Sequence, residues 1–124
     1  MAERMNGDEF RLMMLKRTRQ LAIKVVKLVN EFPSKTAYFV LGNQLVKSST
    51  SVAANYRACL RARSKKEFYA KLCIVVEESD ETEFWLEFLI DSELASRTNV
   101  EPLRKEAEEL LKILSKAKMN SKPS

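Results

Sequence analysis

Residues Gln44–Leu89 read QLVKSSTSVAANYRACLRARSKKEFYAKLCIVVEESDETEFWLEFL. Leu45, Ser48, Val52, Tyr56 and Cys59, with Leu41 just ahead of them, recur every three or four residues, the period of one helix face. A burst of cations follows, and then Ser64 and Glu67 in the S-x-x-E spacing of a capping box. Beyond it Phe68, Leu72, Val75, Ser79, Thr82, Leu86, Leu89 and Ile90 repeat the same period. The stretch therefore predicts the end of one helix, a tight turn and a second long helix. Trp85 and Phe88 fall beside the second stripe and widen it, which predicts contact with two neighbours or with another subunit.

The same patterns extend outward. Asp8 can cap a first helix, whose stripe is Leu15, Thr18, Ala22, Val25, Leu28, Val29 and Phe32, and Pro33 ends it. Ser34 or Thr36 can cap the second. Ser48 to Ala54 is nearly all small residues, which predicts close approach of a neighbouring helix rather than a break, with Gly42 serving the same end. Asn99 can cap a last helix with Pro102 in its first turn and Leu103, Ala107, Leu110, Leu111 and Leu114 facing inward. One domain is expected over 1–124, with helices at about 8–32, 35–62, 64–93 and 100–118 and flexible tails at 1–7 and 119–124. Four amphipathic helices with short connections predict an all-α, antiparallel up-down four-helix bundle.

Composition narrows the function. The 124 residues contain no histidine, which removes imidazole catalysis and histidine-based metal sites. Ser48, Ser49, Thr50 and Ser51 have no partner base and no nucleophile elbow, so packing is their expected role. No Gly-rich phosphate loop occurs. A non-enzyme without metal or cofactor is expected. No apolar run reaches the roughly 20 residues of a membrane span, and MAERMNGDEF lacks the order of a signal peptide, so a cytoplasmic location is expected. Cys59 and Cys73 flank the turn at unequal distances and are expected as reduced, buried thiols.

Charge is polarised along the chain. Residues 1–71 carry 15 Lys/Arg against 5 Asp/Glu, whereas residues 72–124 carry 7 against 12. Distinct basic and acidic surfaces follow, unless they pair with each other. The densest basic cluster is Arg57, Arg61, Arg63, Lys65 and Lys66. Cations at a helix N-terminus need a compensating anion. Nucleic-acid phosphate, an acidic face of a neighbouring subunit and plain solvation all remain open. Tyr38, Phe39, Tyr56 and Tyr69 could stack on bases, but core or interface positions are expected. The acidic run Glu77, Glu78, Asp80, Glu81, Glu83, Glu87 and Asp91 requires a partner, either Lys16, Arg17, Lys24 or Lys27 within the bundle or a basic face of a second copy.

Three blocks carry a family resemblance: QLVKSSTSVAANYR at 44–57, RARSKKEFYAKL at 61–72 and EESDETEFWLEFL at 77–89. The chain, from Arg19 through its last helix, resembles the four-helix bundle proteins encoded in intervening sequences of bacterial 23S ribosomal RNA genes. The resemblance implies a ring-shaped homo-oligomer, a homopentamer, and kinship with the basic ring-forming accessory protein of diversity-generating retroelements, which works with a reverse transcriptase and nucleic acid. It supplies no catalytic residue. Many members end the second helix with N-x-x-E-G, whereas this chain has Asn55-Tyr56-Arg57-Ala58-Cys59, so no role of that acidic position is carried over. The expected function is non-enzymatic binding of nucleic acid, RNA rather than DNA, through Arg57, Arg61, Arg63, Lys65 and Lys66. The alternative is an adaptor that docks a protein partner such as a reverse transcriptase.

Overall fold

Side chains of asparagine and serine start three of the four helices. In the computed structural model, which describes residues 5–124, α1 spans Gly7–Asn30, α2 Thr36–Leu60, α3 Lys65–Asp91 and α4 Arg97–Asn120. Asn6, not Asp8, caps α1: its Oδ1 accepts from the Glu9 amide at 2.8 Å and its Nδ2 donates to Glu9 Oε1 at 2.6 Å. The first helix thus begins inside the segment expected as a tail, and residues 1–4 lie outside the described residues. Ser64 caps α3 as expected, accepting from the Glu67 amide at 3.0 Å. The return half of that box is replaced, because the Glu67 carboxylate faces Arg63 at 3.9 Å. At α2 neither Ser34 nor Thr36 caps, and Lys35 takes the position without a side-chain bond.

Helix α4 starts three residues earlier than expected, with Ser96 accepting from the Asn99 amide at 3.3 Å. Pro102 therefore sits in the second turn, where it forgoes one backbone bond while the longer helix buries Val100 completely. The C-terminal end also runs on: Met119 and Asn120 are helical, and Ser121 Oγ donates to the Ala117 carbonyl at 2.6 Å.

Each helix packs on its two neighbours, α1 on α2 and α4, α3 on α2 and α4, which leaves α1 and α3 on diagonal corners. The stripe Leu41, Leu45, Ser48, Val52, Tyr56 and Cys59 is buried throughout, as are Leu72, Val75, Ser79, Thr82, Leu86, Leu89 and Ile90 on α3. Met14, Leu21 and Val25 of α1 and Val100, Leu103, Ala107, Leu110 and Leu114 of α4 complete the core. Helix α2 passes through Ser48–Ala54 without a break. There the Ser48 and Thr82 hydroxyls are hydrogen-bonded at 3.0 Å, so two buried polar groups satisfy each other across the α2–α3 seam. Burial raises the Tyr56 phenol to about 12 and the Cys59 thiol to about 11. Cys59 is an inert core thiol, 3.7 Å from the Phe68 carbonyl, and both cysteines are free, although Cys73 is only half-buried because it lies at the flank of α3.

Gly42 of α2 packs closely against Val29 of α1. A methyl group there would lie 2.8 Å from Val29 Cγ1. Alanine gains up to about 1 kcal/mol of helix propensity, but overpacking costs about 1–3 kcal/mol. Gly42→Ala is expected to lower stability by about 1 kcal/mol in urea unfolding. In a Val29→Ala background, where the clash is gone, the same change is expected to stabilise.

Candidate nucleic-acid interface

Antiparallel topology brings three chain segments to one end of the bundle: the start of α1, the α2–α3 turn and the end of α4. Arg57 lies in the last turn of α2 and Arg61 is its C-cap, where cations meet the negative end of the helix dipole. Lys65 and Lys66 occupy the first turn of α3, where the dipole opposes them. All five residues of the basic cluster are exposed.

They do not form one compact site. Arg63 and Lys65 line a cleft of about 700 Å³ with Arg11 and Lys122, over an apolar wall that includes Phe68. Arg57 instead faces along the flank, in a groove between α1 and α2 that it shares with Arg19 and Lys27. Arg61 and Lys66 are exposed and line neither concavity. Arg11, Arg19 and Lys122 were not legible as site members, because only the helix register sets them beside residues distant in sequence. Among the described residues, Arg57, Arg61, Lys65, Lys66 and Lys122 have no carboxylate within 4.0 Å, and Arg63 has only Glu67 at 3.9 Å.

The rest of the charge is arranged differently. Arg17 reaches α4, donating to Glu106 Oε1 at 2.6 Å and Oε2 at 3.0 Å and facing Glu109 at 3.2 Å, and these bonds raise its pKa further. Arg104 donates to Glu101 and, at 2.8 Å, to Glu108, and holds both carboxyls below their ordinary range. Of the two partners expected for the acidic run of α3, the α1 cations do not pair with it, since the two helices sit on the diagonal. Within the bundle Arg104 faces one member of that run, Glu87, at 3.9 Å. None of the seven carboxylates is in the core; Glu77, Asp80, Glu87 and Asp91 are exposed and the others half-buried.

Glu83 is the least favourable of these. Its Oε2 is buried with no hydrogen-bond partner. Burial first, and then the charges of Glu87 and Glu108, hold its carboxyl above the usual range. A raised carboxyl costs the fold stability where it is ionised, and that loss is recovered as pH falls through its folded pKa. Glu83→Gln is therefore expected to stabilise by about 0.5 kcal/mol at pH 7, from relief of the like-charge pair alone. The gain is expected to vanish below about pH 4, where the native carboxyl is itself neutral. Thermal melts of both proteins across that range check the sign.

The aromatic residues divide. Tyr56 is buried, Tyr69 is half-buried, and Tyr38 donates to the Leu94 carbonyl at 2.6 Å while stacking edge-on against Phe32. Phe39, expected at a core or interface position, is not in the core: it is 70% exposed, pointing outward from the first turn of α2 at the end opposite the basic cluster. No described helix is long and apolar enough to cross a membrane.

No curated protein matches the chain. Among solved structures, it is similar to a protein of unknown function from the S23 ribosomal protein family of Bacteroides thetaiotaomicron VPI-5482. The two share 30% identity over 88% of this chain and 97% of the other, with a TM-score of 0.80. The family model described as 23S rRNA-intervening sequence protein matches residues 11–116, a span that takes in all three sequence blocks and most of every helix. The chain belongs to the 23S rRNA-intervening sequence protein family.

Proposed function

We propose that the protein is a non-enzymatic, ring-forming nucleic-acid-binding protein whose basic bundle end contacts phosphate. One observation carries this: cations from three chain segments collect at that end and, apart from Arg11 with Asp8 at 3.4 Å and Arg63 with Glu67 at 3.9 Å, face no carboxylate among the described residues, while Arg17 and Arg104 elsewhere are fully engaged. Unpaired cations over an open surface suit a polyanion better than a small ligand. RNA is favoured over DNA by the family's setting in 23S rRNA genes. Nothing here resembles base-edge readout, so binding is expected to follow backbone charge. In a pentameric ring, five copies of the basic end multiply a weak contact.

The test is fluorescence anisotropy with a structured RNA fragment across a range of salt. Binding whose logarithm falls linearly with the logarithm of salt supports the proposal. No binding at low salt would overturn it. A second function, an adaptor that docks a nucleic-acid enzyme, is supported by Phe39 and Val40, which are 70% and 49% exposed at the opposite end. RNA capture only in the presence of such an enzyme would favour it.

A further inference from the structure

Besides Phe39 and Val40 at the far end, two apolar surfaces on the flanks lie outside the core among the described residues. On α3, Phe84 and Phe88 are 51% and 44% exposed. They form an aromatic ridge with Trp85, the Phe84 and Trp85 rings 4.9 Å apart and Trp85 and Phe88 6.0 Å apart. Between α1 and α2, Ile23 and Val26 stand over Ala53 and Ala54, whose small side chains leave a groove of about 460 Å³. The two surfaces face different ways, since α1 and α3 occupy diagonal corners.

Their rims carry opposite charge. Arg19, Lys27 and Arg57 edge the groove, with no carboxylate within 4.0 Å of any of them among the described residues. Glu77, Asp80 and Glu81 lie one to two turns before Phe84 on α3 and face no cation within that distance. Ridge against ridge sets acid beside acid, and groove against groove sets cation beside cation, so a two-fold contact through either surface is repelled. Ridge against groove matches both shape and sign.

We infer that the Phe84–Phe88 ridge of one copy seats in the Ile23–Ala54 groove of the next, with Arg57 and Arg19 facing the incoming α3 carboxylates. This rests on the ring assembly proposed above and names its interface. Because each copy offers one ridge and one groove, the contact is head-to-tail and repeats until it closes. Phe84 and Phe88 are about half exposed, so covering them removes about half of the 150–250 Å² that a whole aromatic side chain buries, and the charged rims supply the rest of the roughly 800 Å² per partner that a stable contact needs. That is about a tenth of this chain's 8320 Å². Arg57 then belongs to the subunit contact, and phosphate is left to Arg61, Arg63, Lys65 and Lys66.

Light scattering after size exclusion tests this at micromolar concentration. The wild type is expected to be an oligomer. Arg19→Glu/Arg57→Glu and Glu77→Lys/Asp80→Lys are each expected to dissociate it, while the four changes in one chain restore the wild-type mass. Phe84→Ser/Phe88→Ser is expected to raise the half-dissociation concentration by about 100-fold. Melting temperatures within a few degrees of wild type, expected for such exposed positions, separate dissociation from unfolding. A monomeric wild type would sink the ring and this interface together. An oligomer that survives all the single-face variants would sink the interface alone, and so would a four-change chain that stays monomeric.

Discussion

Leu86→Ala is expected to lower the free energy of unfolding by about 2–5 kcal/mol, a large share of a marginal total. Leu86 is fully buried on α3, the helix that packs against both α2 and α4. Truncation removes its contacts and leaves a cavity that helices held by Leu45, Leu89 and Leu110 cannot fully close. A melting point lower by on the order of 10 °C is the corresponding thermal result. Ile74→Ala is the matched control, since Ile74 stands on the same helix 44% exposed. Its cost is expected to be about 0.5 kcal/mol. Equal losses at the two positions would mean that the α3 register is not the one described.

Neutralising Arg61, Arg63, Lys65 and Lys66 to glutamine is expected to weaken RNA binding about 1000-fold at 0.1 M salt. Each phosphate contact contributes about 0.7 to the salt slope on a single strand and about 0.9 on a B-form duplex, so four contribute roughly 3. Over the decade of salt from 1 M down to 0.1 M, that slope is about three powers of ten in affinity, or about 4 kcal/mol. Stability is expected to hold or rise slightly, because Lys65 and Lys66 oppose the dipole of α3. Binding unchanged at 0.1 M would remove phosphate contact from the basic end.

The helix faces were readable because burial follows a 3.6-residue period whatever the side-chain chemistry. Ser48, Ser79 and Thr82 are polar yet fall on that period, and all are buried. The start of α4 was misread because Pro102 favours a first turn. Ser96 is as good a cap as Asn99, and residues 97–99 carry the helix back ahead of the fully buried Val100. The basic cluster was visible as a run of residues, but its division between end cleft and flank groove depends on register, which sets Arg11 and Lys122 beside Arg63 and Arg19 beside Arg57. That α1 is not the partner of the acidic run within the chain, one of the two alternatives open to it, had a usable signal. In an up-down bundle, helices consecutive in sequence are neighbours and the first meets the last, so charge complementarity across the diagonal cannot be used within one chain.

An even number of antiparallel helices returns the chain to its starting side. The start of α1 and residues Asn120–Ser124 both border the cleft at the α2–α3 turn. Anything joined to the C-terminus therefore emerges beside the basic face. An acidic tag would compete with the ligand there, a polyhistidine tag would add imidazoles that can themselves take up positive charge, and a bulky fusion would shade the surface. Labels for binding experiments belong at the far end of the bundle, on the Phe32–Thr36 connection or near Glu93, where an attached dye reports on the molecule without standing in the way.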